Sequence, residues 1–324
     1  MSLRAKHLLF SLVPALALAL GLELLLRAVD YRSSLFDTFR IQVCGEVLAA
    51  FDENLFWRKP GAFARFPDRA WPRVACLADS VAVMMDGKGY PEMLEEELRH
   101  RFPEQFPSVF NGGVPGYTSF QGLRFLERDV LAGRPHVVTV CFGWNDHWQS
   151  GNGLPDKLQK FRKADELPWL MRHSRALGWF SVQLLALRQL FYRADGPERT
   201  QRVDPLDYEQ NLEEIASCCR KHDIGLVLMT APYLAGNKDW LSKHLRLNEL
   251  VRTVAERRGV PLVDLVGSFR NRPDLFLKPE TDPTHYNRSG SQLVARALME
   301  RIAEVLVSRS LAVPEPSPGQ GGKP

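Results

Sequence analysis

The sequence predicts an α/β fold: a parallel sheet of five strands covered by helices on both faces. Three observations predict it. From residue 73 onward, short apolar runs alternate with amphipathic stretches of helical length. The run Val137 to Phe142 is interrupted only by the β-branched Thr139, as expected of a parallel strand buried on both faces. With 324 residues, 45% of them hydrophobic, the chain holds enough apolar material for one large domain or two small ones.

In order, Leu8 to Leu26 is an apolar run broken only by Ser11, Pro14, Gly21 and Glu23, and preceded by Arg4, Lys6 and His7. Its length suits a bilayer and its basic start suits export. Of the two export readings, the uncleaved anchor is favoured over a cleaved signal peptide, because the small-x-small site at Ala17 to Ala19 lies inside the run and cleavage would leave a greasy terminus. The expectation is therefore an N-terminal transmembrane helix over residues 1–30, with the rest of the chain exported to a periplasmic or extracellular face. Residues 31–72, with Pro60, Pro67 and Pro72 and little periodicity, read as a stalk.

The globular part then runs from 73 to 312. Strands are predicted at Val74–Leu77, Val109–Asn111, Val137–Phe142, Leu226–Thr230 and Pro261–Asp264. Helices are predicted at Pro91–Phe102, Ser119–Leu131, Leu206–Lys221, Trp240–Arg257 and Gly290–Val307. An insertion, 151–204, interrupts the alternation. Within it Leu177, Phe180, Leu184, Leu187 and Phe191 recur at helical spacing near Arg172, Arg175, Arg188 and Arg193, which leaves a lid, a membrane-surface contact and a plain packing helix all open. The Pro- and Gly-rich tail, 313–324, is expected to be disordered.

A net charge of +4 gives no reason to expect nucleic acid. Asp156 to Arg202 carries ten Lys/Arg against five Asp/Glu, a local surplus that accounts for the basic balance. Cys44, Cys76, Cys141, Cys218 and Cys219 have neither the number nor the spacing of a metal site or a disulfide framework, and no cofactor fingerprint is present.

In doubly wound sheets, ligands collect at the carboxyl ends of the strands. The residues following those ends are Asp79 and Ser80, the glycine-rich turn Gly112 to Gly116, Gly143 to Asp146, and Asp282 to His285. A serine hydroxyl becomes nucleophilic when a base takes its proton and a third group orients that base. Ser80, His285 and Asp282 supply those types, the last two on a Pro-containing loop. A developing negative oxygen needs donors, and the N–H groups of Ser80 and Gly116 and the Asn145 amide provide three candidates. Trp144, His147 and Trp148 are candidates for a pocket wall. No G-x-S-x-G elbow surrounds Ser80.

The series Ala78-Asp79-Ser80, Gly116, Gly143-x-Asn145-Asp146 and Asp282-x-x-His285 resembles the four blocks of the SGNH, or GDSL-type, hydrolases over about Val74 to Val307. The resemblance implies a flavodoxin-like three-layer αβα sandwich, with Ser80 as nucleophile, Ser80, Gly116 and Asn145 as oxyanion donors, and His285 as base oriented by Asp282. Ala78 stands where that family usually has Gly. The expected function is hydrolysis of a carboxylic ester, such as an O-acyl or O-acetyl group on a small molecule, lipid or glycan, through an acyl-enzyme and without a metal or other cofactor. Two alternatives are acyl transfer to a glycan hydroxyl by the same site and a non-catalytic binding or assembly module.

Overall fold

A computed structural model of the chain describes residues 3–31, 40–43, 46–52, 54–58, 61, 64–83, 88–150, 153–159, 173–194, 200–234 and 241–309. The chain divides into two compact units, Met1–Trp57 with Lys160–Arg199, and Arg58–Gln159 with Thr200–Pro324.

The first unit opens with a helix at Leu3–Ala28. A three-stranded sheet follows, in the order β1 (Arg40–Val43), β2 (Glu46–Asp52), β3 (Phe56–Arg58), with β1 and β2 antiparallel. The supposed stalk thus contains strands, which its weak alternation did not reveal. The insertion contributes a helix at Arg175–Ala194. Glu23 caps its start, accepting hydrogen bonds from Ser174 Oγ (2.9 Å) and the Ala176 N–H (2.8 Å) while pairing with Arg27 (2.7 Å). Among the described residues no helix is long and apolar enough to cross a membrane, so the transmembrane helix expected at Leu8–Leu26 gains no support here. The side chains of Leu8 to Leu12 and of Ala15 lie outside the described residues, as do Cys44, Arg172, Trp240 and the tail.

The second unit carries the five-stranded sheet: β4 (Arg73–Ala78), β5 (Ser108–Gly113), β6 (Val137–Cys141), β7 (Gly225–Met229) and β8 (Leu262–Val263). Every pairing is parallel, and the spatial order β5-β4-β6-β7-β8 is that of flavodoxin-like sheets. Alternate side chains divide between two faces. Val74, Cys76, Ala78, Val137, Cys141, Val227 and Met229 share one core with Met93, Leu94 and Leu98 of the helix Tyr90–Arg101 and Val294, Leu298 and Ile302 of the helix Arg288–Ser308. Helices Ser119–Phe125, Pro205–Lys221 and Leu241–Arg258 pack in series as the other layer. Caps fix helix starts in both layers: Asp204 accepts from the N–H groups of Leu206 and Asp207 at the start of Pro205–Lys221, and Asn287 from that of Gly290 at the start of Arg288–Ser308.

Three details differ from expectation. The helix expected to run from Ser119 to Leu131 is α-helical only to Phe125, then continues as a π turn and a 3₁₀ turn. β8 is shorter than Pro261–Asp264, because Asp264 turns its carboxylate to cap a short helix, Leu265–Phe269. Asp282 to His285, taken for a loop, lies in β10 (Asp282–Tyr286), which pairs antiparallel with β9 (Phe276–Lys278). The strand was hidden because its pairing is interrupted between Asp282 and Tyr286, leaving no clean alternation.

Candidate active site

The crevice of a sheet with this order lies where the chain reverses direction across it, beside the first strand. That strand is β4, between β5 and β6. Its last residue, Ala78, is fully buried, pairs with Gly113 and Cys141, and is absent from the left-handed backbone positions. The alanine methyl is therefore accommodated without backbone strain. Asp79 follows and is wholly buried, with Oδ1 accepting the Val81 N–H at 3.0 Å to cap a single 3₁₀ turn that begins at Ser80. Gly113 permits this close packing, since a Cβ there would stand 2.6 Å from the Ala82 methyl.

Ser80 Oγ lies 2.8 Å from His285 Nε2, and His285 Nδ1 lies 2.7 Å from Asp282 Oδ2. The other Asp282 oxygen accepts from the Thr284 hydroxyl (2.6 Å) and from the backbone N–H groups of Thr284 and His285 (both 3.2 Å). Partial burial pushes the Asp282 carboxyl up, but its bonds from Thr284 and His285 outweigh this and hold it below the usual value. The Leu234 N–H reaches the Pro283 carbonyl at 3.2 Å, joining the loop after β7 to this strand. Serine, imidazole and ionised carboxylate thus stand in hydrogen-bonded sequence, an arrangement able to move a proton off Ser80 and to stabilise the resulting imidazolium.

The oxyanion candidates lie on turns tied to the same strand end. Val114 donates to the Ala78 carbonyl at 3.1 Å, and Tyr117 donates back to Val114 at 3.1 Å across Pro115 and Gly116. With φ of +81°, Gly116 takes the position that a turn of this kind reserves for glycine. The Asn145 amide bridges Asp79 Oδ2 (3.2 Å) and the Tyr117 carbonyl (3.1 Å), the neighbours of Ser80 and Gly116. All three donor-bearing residues are partly exposed. Burial pushes Asp79 up to about 7 and Asp146 up to about 6.

The three pocket candidates separate. Trp144 and His147 are buried, with Trp144 stacked on His244 at 4.0 Å and Tyr233 edge-on to the same ring at 5.6 Å. Burial lowers His147 to about 4, which keeps it neutral near pH 7. Trp148 is exposed. Cys76 and Cys141 are buried within strands, where burial pushes the Cys76 thiol up to about 12 and Cys141 higher still.

Sequence reasoning missed Thr284 as a support for the acid and missed the Arg202–Asp156 pair beneath Gly116. Spacing marks neither.

Comparison with known proteins bears on the family. The GDSL-like Lipase/Acylhydrolase family matches residues 76–293. An acetylxylan esterase from Geobacillus stearothermophilus is 24% identical over 221 residues, covering 67% of this chain and 81% of that protein. The crystal structure of a lipase/acylhydrolase from Enterococcus faecalis shares the fold, with a TM-score of 0.50 at 16% identity over 76% of this chain and 99% of that one. A crystal structure of an acetylxylan esterase from Geobacillus stearothermophilus has a TM-score of 0.49 at 20% identity over 72% and 94% of the two chains. Matched by the family over most of its length, with the matched region opening in β4 and closing just beyond His285, the chain belongs to the GDSL-like lipase/acylhydrolases and is a carboxylic ester hydrolase.

Proposed function

We propose that the protein hydrolyses a small O-acyl ester, of the O-acetyl class carried by polysaccharides, through an acyl-enzyme on Ser80. The observation that carries this reading is the continuous chain from Ser80 through His285 to Asp282. In the first step His285 Nε2 takes the Ser80 proton as Oγ attacks the ester carbonyl. The N–H groups of Ser80 and Gly116 receive the developing oxyanion, and the Asn145 amide joins them by turning one hydrogen away from Asp79 Oδ2 while the other stays on the Tyr117 carbonyl. Collapse expels the alcohol, which takes the proton from His285. Water, deprotonated by the same imidazole, then releases the acid and frees Ser80. The choice of O-acetyl ester is supported by the similarity to the acetylxylan esterase.

Ser80→Ala or His285→Ala is expected to lower turnover of a short-chain aryl ester by about a thousandfold or more, and Asn145→Ala by about a hundredfold. Labelling by a fluorophosphonate probe should localise to Ser80. Full activity in purified Ser80→Ala sinks the assignment, and absence of labelling in the folded protein favours a silent binding module.

The reading extends to location on sequence grounds alone: the apolar run Leu8 to Leu26 behind Arg4 and Lys6 supports a membrane-attached protein with its catalytic unit exported. The full chain should then sediment with membranes and resist alkaline extraction, and recovery in the soluble fraction would refute it.

A further inference from the structure

Beneath the Gly116 turn lies a buried ionic cluster that the catalytic steps above do not use. Asp156 is fully buried, and Arg202 grips it with two hydrogen bonds, Nε to Oδ1 at 3.2 Å and Nη2 to Oδ2 at 2.9 Å. The rest of the guanidinium is aimed at the turn. Nη1 donates to the Gly116 carbonyl at 2.7 Å, and Nη2 to Gln121 Oε1 at 2.8 Å. Gln121 in turn accepts from the Thr118 N–H at 3.1 Å, and the Thr118 hydroxyl donates to Asp156 Oδ2 at 2.9 Å. The cluster closes on itself through the Arg202 carbonyl, which accepts from the Asp156 N–H at 2.7 Å.

A buried pair of this kind is strongly destabilising to break and often no better than apolar packing to keep, so its presence is weak evidence of a role in stability. Its geometry suggests positioning. Arginine's planar fork addresses an acid and a carbonyl together, whereas a lysine ammonium offers one point of charge. Held by Arg202 at the Gly116 carbonyl and by Asn145 at the Tyr117 carbonyl, the turn has its outgoing arm fixed at two successive peptides. Its incoming arm is fixed by the Val114 bond to Ala78. Oxyanion donors act by being fixed in place before charge develops, and a displacement of a fraction of an ångström weakens them.

Resting on the reading of Gly116 as an oxyanion donor, we infer that Arg202, locked by Asp156, is the positioning residue that sets the oxyanion turn. It touches no reacting atom. Because Arg202 stands where the chain returns from the insertion, the same contact links the base of that insertion to the catalytic turn.

The test compares Arg202→Lys and the milder Thr118→Val with wild type in the full chain. Three quantities are measured: kcat and KM on a short-chain aryl ester, the inhibition constant of a boronic acid that forms a tetrahedral adduct with serine, and the melting temperature. Arg202→Lys should lower kcat by about tenfold or more, leave KM within about twofold, and weaken the boronate in proportion to kcat. Thr118→Val should show the same pattern with a smaller amplitude. A folded Arg202→Lys protein with unchanged kcat and boronate affinity overturns the inference, as does a fall in kcat without weaker boronate binding. Should Arg202→Lys fail to fold, unchanged kcat and boronate affinity in Thr118→Val overturns it equally. Ser80→Ala separates the two claims: activity surviving there refutes the nucleophile, whereas inactive Ser80→Ala beside normal Arg202→Lys refutes the positioning role alone.

Discussion

Asp282 divides its two oxygens between two tasks. Oδ2 faces the imidazole, while Oδ1 is occupied by Thr284 and the local backbone, so the carboxylate cannot rotate without losing three bonds. Asp282→Asn is expected to lower kcat by about a hundredfold or more, because an amide in that position no longer compensates an imidazolium and favours the wrong tautomer. Thr284→Val should act in the same direction with a smaller effect, and steady-state kinetics on an aryl ester would check both. Ser80, Asn145 and His285 were legible in sequence because a strand-end rule sorts residues by place before chemistry. Arg202 was not: its partners lie 46 and 86 residues away, and an arginine in a basic stretch looks like any solvated charge until the chain is folded.

At the scale of elements, β4 shows how pattern and family resemblance can diverge. The family usually has Gly where this chain has Ala78, yet the backbone there is an ordinary strand paired on both sides. Ala78→Gly, although it restores the common pattern, should therefore cost about 0.5–1 kcal/mol through added chain entropy and a lost buried methyl, with kcat within about twofold. Urea unfolding and kinetics would measure the two sides. The three central sheet strands, β4, β6 and β7, were readable because burial on both faces leaves near-continuous apolar runs, whereas the edge strand β5 is half-buried over its first four residues and was legible from its place in the alternation. β10 was not, since the polar, half-buried Asp282, Thr284 and His285 obscure the alternation that marks a strand. Strands β1 to β3 lie in a stretch with little alternation, and in the insertion only the helix left a periodic trace.

Across the whole molecule, two wholly buried acids couple protonation to folding. Burial raises Asp79 from an ordinary 3.8 to about 7 and Asp146 to about 6, so the fold favours their neutral forms. Their share of stability is complete below the ordinary carboxylate value and is lost as pH climbs through 6 and 7. Buried His147 and His244, lowered to about 4 and 3, work in the opposite sense on the acid side, so the wild-type melting curve alone is a poor guide. The informative quantity is the difference in melting temperature between wild type and Asp79→Asn, which should move in favour of the variant from pH 5 to pH 8; a constant difference contradicts the burial account. The insertion leaves and re-enters the second unit through a narrow neck, where Gln149 bridges Gln201, Ser150 donates to Thr200 and Arg202 donates to Trp148. Its two ends are already stapled to each other within the second unit, so replacing residues 160–199 by a short linker is expected to leave the five-stranded sheet folded, with the melting temperature of the shortened protein as the check.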